Sequence, residues 1–399
     1  MSHEPRTAPG GGRATTALVI GGGIAGPATA MALQKAGIEP TVFEAHPTGA
    51  DGVGAFLTLA SNGLDALRIL EADGPARSLG FPTPGITLRS GTGKRLGESG
   101  TGGAASLTLK RSDLYRAMSD EARARGIEIH HGRRLTAAHD AGGQVHAVFA
   151  DGGTEDANLL IGADGVHSTV RTIIDPAAPA PAYGGLIGTG GYATDVQVDA
   201  EPGSYEMIFG RRGFFGYASP RDGEVWWFAN VPHREPPTDP GETDWRPVLL
   251  DLFADDAGPA TALIEATPDL LPASPIHSIP HLPHWHRDTL VVVGDAAHAP
   301  SPTSGQGASL AVEDAVELAR CLRDLPDHTQ AFARFEHTRR ARVERIIKAA
   351  ARINNSKAAG PVGRVVRDAM LPAILRLTAD TKAYRETHGY RIDWNASAA

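Results

Sequence analysis

The segment Thr16-Ala17-Leu18-Val19-Ile20-Gly21-Gly22-Gly23-Ile24-Ala25-Gly26 passes directly from a short apolar, partly β-branched run into a cluster of glycines. The apolar run predicts a buried strand. Ile24 to Ala36 has helical composition, and Gly37 supplies the stop. Glu39 to Glu44 contains Thr41-Val42-Phe43 and predicts a second strand. Strand, helix and strand in that order predict a parallel sheet. The glycines between the first strand and the helix fit G-x-G-x-x-G. Gly21 permits a tight turn, Gly23 lets a pyrophosphate approach the backbone, and Gly26 lets helix and strand pack closely. Ile24 and Ala25 belong to the helix start, whose free N–H groups and positive dipole end suit phosphates. Glu44 stands 18 residues after Gly26, at the end of the second strand. An acid there can bind a ribose diol.

Two later stretches extend this pattern. Leu159-Leu160-Ile161 predicts a strand that delivers Gly162-Ala163-Asp164-Gly165, and a short helix starts near Ser168 and carries Arg171. On its own, Asp-Gly is a common turn and Ser168 a plain N-cap. Further on, Thr289 to Val293 predicts a buried parallel strand ending in Gly294-Asp295. An acid at a strand end can take the ribityl hydroxyls of a flavin. Past Pro302, Gly305-Gln306-Gly307 turns the chain into a helix that begins with Ala308 and Ser309. Its free N–H groups could face the N1–C2=O edge of a flavin, which becomes anionic on reduction.

Composition removes several other classes. The chain has 399 residues, enough to bury a full core, and its 41% apolar and 21% charged residues are ordinary for a globular protein. The balance of 38 Lys and Arg against 46 Asp and Glu gives a net charge of −8, which disfavours a nucleic-acid surface. The run Arg339-Arg340-Ala341-Arg342 reads as a solvated helix face. A single cysteine, Cys321, allows no intrachain disulfide and reads as a core residue. No apolar run approaches the length of a membrane span or a signal peptide. A cytoplasmic protein with a short flexible leader is expected, with no membrane or nucleic-acid partner, as monomer or homodimer. His277, His281, His284, His286 and His298 are irregularly spaced and lack an acid or cysteine cluster, so no metal site is expected.

Between the second and third stretches the texture changes. Ser204–Phe209, Phe214–Ser219 and Val225–Asn230 predict antiparallel strands of one sheet. Earlier, Ser112 to Arg125 predicts a helix capped by Ser112, and Ile127–His131, Leu135–His139 and Gln144–Phe149 predict strands. Helices are expected over Ser309–Leu325, Gln330–Ala351 and Val365–Ala379. The fold class is therefore α/β (α+β): a Rossmann-like cofactor domain with a parallel sheet, interrupted by a mostly antiparallel sheet domain, plus C-terminal helices. The expected cofactor domain is 14–78, 106–178 and 278–345. The sheet domain is 79–105 and 179–277, and a C-terminal helical segment is 346–399. Met207, Phe209, Phe215, Tyr217, Trp226 and Phe228 are candidates to line a pocket for a planar substrate, since alternate strand positions share a face.

In this order and spacing, the glycine fingerprint, the Asp-Gly stretch and the Gly-Asp stretch resemble the class A flavoprotein monooxygenases, the family typified by para-hydroxybenzoate hydroxylase. The resemblance runs from about residue 16 to about residue 345. It implies one tightly held FAD, NADPH or NADH as a transient donor, and O2. The implied reaction hydroxylates or epoxidises an aromatic or polyketide-like small molecule through a flavin C4a-hydroperoxide. By position, Glu44 looks like the adenosine-ribose ligand and Arg111 like the family's arginine near FAD. Asp164 and Arg171 lie in the stretch linked to FAD and nicotinamide binding. Gly294-Asp295 matches the ribityl-binding site, and Pro302 with Gly305, Gln306 and Gly307 matches the loop beside the reactive ring. Ser309 departs from the Asn of many relatives, and Ala45 from a frequent Arg. The chain resembles the compact branch that includes salicylate-, urate- and tetracycline-modifying enzymes. With one glycine fingerprint, docking of the nicotinamide cofactor on the surface is expected over a second dinucleotide domain. A flavin-dependent halogenase, an FAD reductase of a prenyl chain and a non-enzymatic flavin-binding protein are the rival readings. Val225-Trp226-Trp227-Phe228-Ala229-Asn230-Val231-Pro232 does not fit the halogenase pattern W-x-W-x-I-P.

Overall fold

The strand Thr16–Ile20 lies inside a six-stranded sheet. It pairs in parallel with Glu39–Glu44 on one side and Leu159–Gly162 on the other. Glu128–His131 extends one edge and Leu290–Val292 the other, again in parallel, and the short strand His286–Arg287 closes that edge antiparallel. The computed structural model describes residues 14–49, 54–100, 106–201, 203–220, 223–237, 243–357, 360–378 and 386–399. Leu159, Leu160, Ile161, Val291 and Val292 are fully buried, as expected for strands of a parallel sheet covered on both faces. The helices Ala25–Lys35 and Gly307–Asp324 pack against each other, and the latter also contacts Ser61–Ile69 and His328–Lys357. A parallel strand needs a crossover. Between Glu128–His131 and Leu159–Gly162 that crossover is a three-stranded antiparallel sheet of Leu135–Asp140, Val145–Phe149 and Thr154–Ala157.

The second large sheet has seven strands, in the order Ser274–Ser278, Ala182–Ala193, Val225–Pro232, Phe214–Ser219, Ser204–Phe209, Gly85–Ser90 and Arg95–Gly100. Only the pairing of Ser204–Phe209 with Gly85–Ser90 is parallel. One face carries Ile187, Ile208, Phe215, Tyr217 and Trp227 under the helices Trp245–Phe253 and Ala260–Glu265. The indole N–H of Trp227 donates to Thr267 at 2.7 Å, which satisfies its polar edge. The other face carries Met207, Phe209, Phe214 and Phe228, which pack with Leu371 and Leu375 of the last helix, Pro361–Thr378. Phe56 joins this face, its ring 5.7 Å from Phe228 and 6.0 Å from Trp226.

The register corrects the aromatic set. Gly216 pairs opposite Phe228 and Phe215 opposite Ala229. Cross-strand partners share a face, so Phe215 and Tyr217 belong to the helix-covered core. Met207, Phe209, Trp226 and Phe228 lie on the opposite side with Phe214. One other expectation also changes. The helix Arg111–Ala124 begins after Lys110 as N-cap, which places Ser112 inside the first turn. The helix His328–Lys357 spans position 345.

Candidate functional site

The glycine turn shows why Gly21 and Gly26 must be small. Gly21 has φ +108, and a Cβ there would meet the Ala163 carbonyl oxygen at 2.4 Å. A Cβ on Gly26 would fall 1.8 Å from the Gly21 oxygen. By contrast, a Cβ on Gly23 would meet no protein atom within 4 Å. That glycine clears space outside the protein's own packing, as a cofactor cradle requires. The helix Ala25–Lys35 has no side-chain cap at Ile24, so its first N–H groups are left to a ligand or solvent. The Glu44 carboxylate fixes the turn. It accepts from the Gly22 N–H at 2.6 Å and the His46 N–H at 2.8 Å.

The Asp-Gly stretch is braced mainly from within. Asp164 accepts from the Ser168 hydroxyl at 2.5 Å and from the Thr169 and Val170 N–H groups at 2.7 and 3.0 Å. Ser168 in turn caps the helix Thr169–Ile174 by accepting from the Arg171 N–H. Burial raises the Asp164 carboxyl above its ordinary value, and these donors oppose the rise. Arg171 is buried and donates to the Val166 and Ala296 carbonyls at 2.7 and 3.0 Å. Its guanidinium ties the Asp-Gly loop to the Gly-Asp loop. Asp164 and Arg171 are thus engaged by their own protein, which makes them builders of the site's shape.

Asp295 is different. It lies just beyond the strand Leu290–Val292 and takes no hydrogen bond from a described residue. Burial raises its carboxyl above the ordinary value, against the pull of Arg111 and His298. One Asp295 oxygen lies 3.8 Å from where a Cβ of Gly307 would stand, at the start of the helix Gly307–Asp324. That helix has no side-chain cap at Gln306, and Gly305 before it has φ +58, a left-handed conformation that glycine tolerates. Asp295→Ala is therefore expected to lower FAD retention at least tenfold. Asp164→Ala is expected to cost about 1–2 kcal/mol through the lost cap. Flavin absorbance after gel filtration and urea denaturation check the two. Full flavin content in the first variant, or wild-type stability in the second, would sink the respective assignment.

Behind these loops lies a buried polar network that the sequence did not reveal. Asp314 accepts from the Gly294 N–H at 2.9 Å, His298 Nε2 at 2.5 Å and Arg339 Nε at 2.7 Å. Glu313 binds Arg339 at 2.6 Å and Arg342 at 2.8 Å. Asn62 donates to Glu313 at 2.7 Å and to the Gln306 side chain at 3.0 Å. Burial alone would raise the Asp314 carboxyl, but His298 and Arg339 hold it down at about 2. Arg339 and Arg342 are buried, so the run 339–342 is no solvated face. The available signal was the acid pair Glu313-Asp314 inside an apolar helical run, since such acids stay buried only when paired. Ser309 is also buried. Its hydroxyl accepts from the Ala60 N–H at 3.1 Å, and a Cβ on Gly63 would fall 2.6 Å from it, so a larger residue than Ser would crowd this helix contact.

Three of the four remaining candidate histidines have separate partners: His281 with Glu344, His286 with Glu336, and His277 stacked edge-on with His167. Among the described residues, no group of three or more His, Cys, Asp or Glu could hold a metal ion. Cys321 is fully buried, and burial pushes its thiol up to about 12. No helix among the described residues is long and apolar enough to cross a membrane.

An uncapped helix start over a glycine turn, an acid at the end of the second strand, and an acid that takes no hydrogen bond from the described residues beside a second uncapped helix are the features a flavin-dinucleotide site requires. Known proteins agree. Residues 14–350 match the family described as "FAD binding domain". The chain is 30% identical over 345 residues to aurachin C monooxygenase/isomerase of Stigmatella aurantiaca, covering 85% of this chain and 88% of that protein. It is 32% identical over 351 residues to 2-heptyl-3-hydroxy-4(1H)-quinolone synthase of Pseudomonas aeruginosa, covering 84% and 87%. The structure of Klebsiella pneumoniae HpxO with FAD and uric acid superposes with a TM-score of 0.81 at 25% identity, covering 92% and 96%. The chain belongs to the class A FAD-dependent monooxygenase family, and it is an FAD-dependent monooxygenase.

Proposed function

We propose that this enzyme takes electrons from NADPH or NADH and places one atom of O2 on a neutral aromatic or polyketide-like molecule, the other atom leaving as water. The observation that carries the substrate class is the wall formed by Phe56, Met207, Phe209, Trp226 and Phe228. Two cations beside this wall are each paired: Lys110 with Glu224 at 2.6 Å, over the rings of Tyr192 and Trp226, and Arg367 with Asp368 at 2.8 Å, over the Phe209 ring. Both are therefore poorly placed to recruit an acidic substrate. Tyr192 donates to the Ala55 carbonyl at 2.8 Å, which ties this sheet to the residue before Phe56.

In this reading, residues 14–78, 106–178 and 278–345 hold the cofactor, and 79–105 with 179–277 hold the substrate. Glu44 takes the adenosine ribose and the turn Gly21–Gly26 the pyrophosphate. Arg111 adds positive charge near Asp295, and Asp295 takes the ribityl hydroxyls. The helix start at Gly307 and Ala308 would offer its free N–H groups to negative charge on the flavin, and Pro302, Gly305 and Gln306 would belong to the loop that holds the ring. Bound FAD supplies the oxygen-transfer chemistry. The protein's part is to orient substrate against it and exclude water.

Anaerobic mixing tests the reading. NADPH or NADH should bleach the flavin, fastest with a neutral hydroxylated heteroaromatic and slowest with an aromatic carboxylate. Absence of reduction by either donor under every condition would refute the proposed donors. A preference for the carboxylate would refute the substrate class. Phe228→Ala should raise KM several-fold with little change in flavin content.

A further inference from the structure

The helix Pro361–Thr378 has its polarity inverted. A surface helix turns charge outward and apolar residues inward. Here the large exposed side chains are Val362, Val365, Val366, Met370 and Ile374, the first two 78% and 71% exposed. The other exposed positions with described side chains are Gly363, Ala369 and Ala373. Among positions 362–375, no exposed position carries a charged residue. The charged residues of that span, Arg364, Arg367 and Asp368, turn inward. Arg364 donates to the Arg211 carbonyl, and Arg367 lies over the Phe209 ring while pairing with Asp368 at 2.8 Å.

The patch suits a bilayer better than a second copy of the chain. Five large side chains on one helix fall well short of the roughly 20–30 residues a side that a standard protein interface uses. An apolar helical face lying flat in a bilayer surface needs no matching partner. The neighbouring charge fits as well. Arg211, Arg212 and Arg364 gather around Asp256, and Arg212 also reaches Asp251 at 2.8 Å, so three guanidinium groups face two carboxylates. The chain's net charge of −8 means that attraction to anionic lipid rests on this local cluster.

We propose that the outer face of this helix lies reversibly on an anionic lipid surface. The inner residues Leu371 and Leu375 share one apolar cluster with Met207 and Phe228. The helix therefore connects the membrane to the substrate wall, a route by which a lipid-dissolved substrate would arrive. The membrane contact itself does not depend on which donor or substrate the enzyme uses.

The FAD-loaded, full-length protein is sedimented with vesicles of phosphatidylglycerol and phosphatidylcholine, and with phosphatidylcholine alone. Binding is expected to the anionic vesicles at low salt, weaker at high salt and with the neutral lipid. The exposed double variant Val365→Asp/Met370→Asp should bind at least tenfold less, with unchanged flavin absorbance and melting temperature. Arg211→Glu/Arg212→Glu should lower binding to the anionic vesicles alone. Absence of sedimentation at low salt would overturn the proposal, as would equal binding by the double variant. So would a dimer in light scattering that the double variant converts to monomer, since a second copy would then cover the face.

Discussion

Asp314→Asn is expected to release FAD and to lower stability by about 3–5 kcal/mol, the cost of breaking a buried ion pair from one side. Asp314 and Arg339 are both 0% exposed. The carboxylate holds Gly294 and His298 on one oxygen and Arg339 on the other. An amide in its place neutralises the charge and turns an N–H₂ group toward donors. Gly294 and His298 flank Asp295, so the loop that presents the unpartnered acid loses its anchor. Urea denaturation and the ratio of flavin to protein absorbance measure the two effects. A variant with wild-type midpoint and full flavin would show that the network is dispensable. The sign of the acid dependence follows from the same contacts. The Asp314 carboxyl is depressed from 3.8 to about 2. Its contribution is present in full above about 3.8 and is lost as the pH falls through about 2. The variant should therefore lose less stability than wild type across that window.

Two alanine substitutions a few residues apart should act in opposite ways. At Gly26 the new methyl group would fall 1.8 Å from the Gly21 oxygen. That oxygen cannot easily retreat, because the Gly21 N–H is bound to the Phe43 carbonyl at 2.8 Å and its other side faces Ala163. Gly26→Ala is expected to destabilise the apoprotein by several kcal/mol, as overpacking and backbone displacement do. At Gly23 the methyl group meets no protein atom, so apoprotein stability should stay within about 0.5 kcal/mol of wild type. If the turn takes the pyrophosphate as proposed, FAD affinity should nonetheless fall at least tenfold, about 1.4 kcal/mol, because the methyl would occupy its approach. Thermal melts of the apoproteins and titration with FAD separate the cases. Unchanged affinity in Gly23→Ala would remove the pyrophosphate from that turn. Wild-type stability in Gly26→Ala would mean the turn is looser than its geometry indicates.

The sequence alone determined the elements whose signal is local. A β-branched apolar run beside glycines is a buried strand and a turn whatever surrounds it, and Thr16–Ile20, Glu39–Glu44 and Leu159–Gly162 form as read. The FAD family was legible because its cradle is built from backbone freedom and strand ends, which glycine and acid spacing record directly. The strands Phe214–Ser219 and Val225–Pro232 were legible too, but their facing was not. A one-residue slip exchanges the two faces, and only the pairing of Gly216 with Phe228 assigns Phe215 and Tyr217 to the helix-covered core. Tertiary structure alone also brought Asn62, Asp314 and Arg339 together. These residues lie far apart in the chain, and nothing local distinguishes a buried arginine from a solvated one. Their roles follow from which helices pack side by side. The same holds for the last helix, whose composition predicts an amphipathic segment but whose docking turns the charged side inward and leaves the apolar side outward.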